Sequence, residues 1–254
     1  MLIEAAVAAA AGKWLVEKAR EAGIDLALDK FKEHVVGRWS GHRAALFLAQ
    51  LLEEVQKQRD VRYESASLND LLSKLMRGDA ESSLLFDAYR RVALCASKDI
   101  GPMIIGVLTA VILLRDSQAD DEEEQMFMAA ETLNDRDFVD FICWFKEARR
   151  QAGEPKHPSL QLPVIPGTVA VTRVRPKAAR NTFSTEDIPI NLFSDVGSFA
   201  PKLANLGILV QFTLSAAPTK NAIMAEHFVA ATHVATRLYA IAERVLSVKQ
   251  SSAG

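Results

Sequence analysis

Cysteine is scarce in this chain of 254 residues: there are two, Cys95 and Cys143, both inside apolar segments. No C-x-x-C pair exists, so zinc-ribbon and dithiol redox chemistries have no ligands to use. Two buried structural thiols in a reducing compartment are the expectation. Histidine is nearly as sparse, at five. The one close pair, His227 and His233, falls in a stretch read as helix. Six residues of helix are about 600° of rotation, which turns the two rings about 120° apart and denies them a shared metal. Glu226-His227 has no second histidine at the spacing of a zinc protease. Glycine-rich phosphate loops are absent, with neither G-x-x-x-x-G-K nor G-x-G-x-x-G in the chain. There is no G-x-S-x-G elbow and no cysteine beside a histidine. These absences lower the expectation of an enzyme and leave a dispersed catalytic site as a third-ranked reading, with no cofactor and no metal expected.

Long hydrophobic runs are also missing. Ile100–Leu114 lacks any charge but is 15 residues long and contains Gly101, Pro102 and Gly106. A membrane span needs roughly 20 residues, so this segment reads as a buried core helix. No basic leader precedes the alanine-rich start, so no signal peptide is expected there. A soluble cytoplasmic protein is the resulting expectation.

Charge is balanced overall, at a net of -2, but unevenly spread. Residues 1–150 carry 20 Lys+Arg against 26 Asp+Glu, and residues 151–254 carry 10 against 6. An acidic front and a basic back suggest two modules with different surfaces. The acidic run Asp116 to Glu124 invites a calcium reading that its spacing refuses. An EF-hand loop beginning at Asp116 needs glycine at position six and finds Asp121, and needs glutamate at position twelve and finds Phe127. A solvated, capped helix start explains the same residues, with Asp120 and Glu123 as the capping pair.

Helical periodicity dominates the first 153 residues. Helices are read over 2–21 and 25–36. From 42 to 59, Ala44, Leu48, Leu51, Leu52 and Val55 recur at steps of three and four, with Glu53, Glu54, Lys57 and Arg59 as the wet face. Ser67 and Asp70 make a capping pattern for a short helix that Gly78 ends. Leu85, Ala88, Val92 and Cys95 line the next helix, over 81–97. Pro102 then opens a helix to Arg115 that is apolar all round and should be central. Asn134 with Asp137 repeats the capping device before Phe138, Phe141, Ile142 and Phe145, and basic residues followed by Gly153 close that helix.

Beyond Gly153 the texture changes. Seven of the nine prolines fall between Pro155 and Pro201, which excludes helix over most of that span. A strand is read within 164–175, a short helix near 198–206, a strand over 208–214, and a long helix from about residue 219 to 248. On that last helix Phe228, Ala231, Ala235, Leu238, Ala242 and Val245 form a heptad-like seam suited to an oligomer or a partner helix. Arg173, Arg175, Lys177 and Arg180 make a basic segment able to meet phosphates. The order short helix, strand, turn, long helix from Ser198 onward is similar to part of a winged-helix domain, and that resemblance implies nucleic-acid binding through the basic module.

The fold expected is therefore mainly α. A helical domain over 1–153 precedes a smaller α+β module over 154–254, with a few short strands and a long C-terminal helix. The leading functional expectation is a non-enzymatic protein-interaction module, an adaptor, regulator or inhibitor that docks a partner or itself. Nucleic-acid binding through the basic segment is the alternative.

Overall fold

A computed structural model describes residues 40–59, 79–115, 117–153, 167–176, 189–215 and 225–252. The expected helices over 2–21, 25–36 and 67–78, together with Lys177 and Arg180, lie outside the described residues. What is described is mainly helical, with one three-stranded antiparallel sheet and a C-terminal helix. The chain divides into two compact units at Asp135/Arg136. The aromatic-rich helix that follows thus belongs with the second unit, whereas the composition change near Gly153 had suggested a later boundary.

The first unit holds α1 (Ser40–Arg59), α2 (Asp79–Leu94), α3 (Ile100–Arg115) and α4 (Asp121–Thr132). Helix α3 is its axis: 12 of its 16 residues are buried, as expected for a helix apolar on all sides. Two glycines allow its neighbours to come close. A Cβ on Gly106 would stand 2.5 Å from the Phe47 carbonyl of α1, and one on Gly101 would stand 2.5 Å from the Ala130 carbonyl of α4. The start of α3 is capped from a distance. The Asp135 carboxylate accepts from the Ser97 hydroxyl (2.7 Å) and from the N–H groups of Lys98 (2.9 Å), Asp99 (3.2 Å) and Ile100 (2.9 Å). These satisfy donors that a helix start leaves without partners.

The acidic run is structural here. Asp120 and Glu123 form the expected capping box of α4, and Glu123 also takes Arg115 at 2.8 Å. Glu123 is fully buried, so this part of the run is not the solvated turn that composition suggested. Glu124, with Glu131 and Asp87, surrounds Arg91, whose guanidinium lies over the Phe127 ring. Glu54, expected on the wet face of α1, is buried as well.

The second unit contains α5 (Asp135–Gly153), β1 (Thr168–Val174), α6 (Leu192–Asp195), α7 (Phe199–Asn205), β2 (Leu209–Ser215), β3 (Ala225–Thr232) and α8 (His233–Ser252). Its strands lie in the order β1-β3-β2, antiparallel throughout. Helix α5 buries Phe138, Phe141, Ile142 and Phe145 as its period requires. Phe141 and Trp144 both meet Phe199 of α7 (5.9 and 6.0 Å between centroids), and Phe145 stacks on Tyr239 of α8 at 4.7 Å. Asp137 is fully buried and ties α5 to α7, accepting from the Ser198 hydroxyl and from Lys202 at 2.6 Å.

One expected element is corrected. The long helix over 219–248 is a strand followed by a helix, with the change at Thr232/His233. Phe228 and Ala231 belong to the central strand, and only Ala235, Leu238, Ala242 and Val245 are helical. A central strand covered on both faces reads as a continuous apolar run, which periodicity alone does not separate from buried helix.

Candidate functional site

Strand β1 runs along one edge of the sheet, and its alternation sets the chemistry of that edge. Val174 is buried and Thr172 half-buried, while Arg173 between them is exposed. Pro176 ends the strand after Arg175. Together Thr172, Arg173, Val174 and Arg175 form one wall of an open cleft of about 470 Å³, and Trp144 of α5 with Asp195 and Val196 forms the other.

The second wall is placed by local geometry. Asn191 caps α6 by accepting from the N–H groups of Phe193 (3.1 Å) and Ser194 (3.3 Å), and Asp195 returns the favour by accepting from the Asn191 N–H at 2.8 Å. Gly197 then turns the chain with φ of 156°, and a Cβ there would lie 2.7 Å from the Phe199 ring. Only glycine permits that approach, so Gly197 fixes where Asp195 and Val196 line the cleft.

The polar groups of the cleft are unevenly satisfied. Arg173 pairs with Glu226 of β3 at 2.5 Å. Arg175 has no ion pair among the described residues. The Thr172 hydroxyl is buried and has no hydrogen-bond partner there. Two cations, an indole and the Asp195 carboxylate therefore line one opening, with the Thr172 hydroxyl buried behind it. This arrangement suits a planar ligand that carries an anionic group.

Of the basic residues singled out from the sequence, Arg173 and Arg175 are brought to this cleft. The sequence does not mark Trp144, Thr172 or Asp195 as part of it, because nothing local shows that α5, β1 and the end of α6 line one cleft. The six expected seam residues do not form one seam: Phe228, Ala231, Ala235, Leu238, Ala242 and Val245 are all buried, with Phe228 and Ala231 on opposite faces of β3. The histidines separate as well. His227 sits on β3 and hydrogen-bonds Thr213 through Nδ1 at 2.9 Å, and His233 begins α8. No group of three or more metal-ligating side chains occurs among the described residues, and no helix there is long and apolar enough to cross a membrane.

The cysteines divide. Cys95 is buried as expected, and burial, helped by the nearby Glu131 carboxylate, pushes its thiol up to about 12. Cys143 is exposed, because its position on α5 faces away from the phenylalanine stripe.

No protein-family model, curated protein or solved structure matches the chain.

Proposed function

We propose that this chain is a non-enzymatic binding protein whose second unit docks nucleic acid through the β1 cleft. The observation that carries the reading is the cleft itself, which Arg173, Arg175 and Trp144 line together. Guanidinium groups read phosphate oxygens in a fixed fork, and an indole offers a face for a base to stack on. Charge supports it: residues 136–254 carry 14 Lys+Arg against 9 Asp+Glu, so the unit attracts polyanions.

The test is fluorescence anisotropy with labelled single-stranded and duplex oligonucleotides at several salt concentrations. If Arg173, Arg175, Lys177 and Arg180 each neutralise a phosphate of duplex DNA, log affinity falls with log salt at a slope of about -3.6. Replacing Arg173 and Arg175 by alanine should make that slope shallower by about 2. Glu226→Gln frees Arg173 and should tighten binding. Salt-independent binding, or an unchanged slope in the double variant, counts against the reading.

Protein docking is the second reading, and Phe193 favours it. This side chain is 64% exposed on α6, an unusual position for a ring. Native mass spectrometry that returns a stoichiometric foreign protein, lost on Phe193→Ser, would place the adaptor or regulator reading first.

A further inference from the structure

The two edges of the sheet are built differently. β1 carries a register irregularity between Thr168 and Ala170, an exposed Arg173 and a following Arg175-Pro176. Bulges, charges and proline are the devices that keep an edge from pairing with another strand. β2, the opposite edge, has none of them. Its sequence Leu-Val-Gln-Phe-Thr-Leu-Ser holds no charge and no proline, and its register with β3 is unbroken.

The direction of the β2 backbone follows from one hydrogen bond. The Thr232 N–H donates to the Ile208 carbonyl at 3.1 Å. Antiparallel pairs alternate between hydrogen-bonded and non-bonded. Val210, Phe212 and Leu214 therefore bond to β3, and the N–H and C=O groups of Leu209, Gln211, Thr213 and Ser215 turn outward. Among the described residues no further strand meets them. The side chains of Val210, Phe212 and Leu214 share one sheet face; Val210 is 40% and Leu214 43% exposed.

We infer that β2 pairs antiparallel with β2 of a second copy of this chain, about a two-fold axis at Phe212. The strand is complementary to itself in this register. Gln211 faces Thr213 of the other copy, and Leu209 faces Ser215, each as a hydrogen-bonded pair. Val210 faces Leu214, and Phe212 faces Phe212, as non-bonded pairs, where side chains approach most closely. All three apolar residues thus meet apolar residues, and no charge is brought against a like charge. The product is a six-stranded sheet with both ends protected by β1. One strand pair buries less than the roughly 1,200 Å² of a standard stable interface, so the dimer is weak and concentration-dependent. The second unit is net basic, and screening its repulsion makes the dimer tighter in salt. Nucleic-acid binding responds to salt in the opposite sense, which separates the two proposals.

Sedimentation velocity on the full chain, with reductant present so that exposed Cys143 forms no disulfide, tests the inference. A monomer–dimer equilibrium in the micromolar range is expected, tightening as salt rises. Gln211→Pro removes an outward N–H, which an edge strand tolerates, and should weaken dimerisation at least tenfold with unchanged circular dichroism. The pair Val210→Lys with Leu214→Lys should abolish it by setting lysine against lysine. Mixing that variant with one carrying Val210→Glu and Leu214→Glu should restore a heterodimer. A chain that stays monomeric at several hundred micromolar, or a dimer indifferent to Gln211→Pro and to the lysine pair, overturns the inference.

Discussion

At the scale of single residues, Asp135 is a half-buried acid of the first unit whose charge is held by four donors. Burial opposes its charge, but the N–H of Ile100, the Ser97 hydroxyl and the N–H groups of Lys98 and Asp99 outweigh that and hold its carboxyl below the ordinary value of 3.8. A depressed folded value means that the charged form stabilises the fold above pH of about 4, and that this contribution is lost as pH falls through the folded value. Urea melts taken down through that range should show the loss, and Asp135→Asn should flatten it. Asp135→Ala removes the cap outright and should cost about 2 kcal/mol. The two cysteines give an independent check on burial. Native maleimide labelling should modify Cys143 alone, with Cys95 reacting only after denaturation; equal labelling of both would contradict the packing of the α2 end.

Helix α3 carries the argument at the scale of elements. Its glycines are contact points between backbones, since a methyl group on Gly106 meets the Phe47 carbonyl at 2.5 Å. Gly106→Ala is a better helix former by intrinsic propensity, yet overpacking outweighs propensity here and should destabilise by about 1–3 kcal/mol. A thermal melt decides the sign. Elements with strong local signals were legible in the sequence: the α4 capping box, the apolar stripe of α5, and β2, whose boundaries lie within one residue of those expected. Strand β3 was not legible. Its Phe228-Val229-Ala230-Ala231 run is buried on both faces by neighbours distant in sequence, and alanine spacing there mimics a helix.

On the scale of the whole molecule, charge and edge chemistry point in different directions. The basic cleft on β1 calls for a polyanion, and the uncharged edge of β2 calls for a second strand. Sequence composition located the basic segment but not what flanks it. Arg173 and Arg175 stood out because four cations crowd into eight residues. Trp144 joins them only because α5 lines the same cleft as β1, across more than twenty residues of chain. The seam expected on the last helix is helical only from Ala235 to Val245, and those four residues are buried in the chain's own core.

The sequence by itself determined the mainly helical character, the central buried helix, the capping of α4 and the change of texture after Gly153, because each rests on interactions within a few residues. Only the tertiary structure decided that α5 belongs with the sheet and that residues 225–232 are a strand. It alone decided that Asp135 caps a helix 35 residues upstream and that Trp144 lines one cleft with the arginines. Those outcomes depend on which surfaces remain to be covered once the helices form, and strand pairing and long-range hydrogen bonds leave no period in the chain to read.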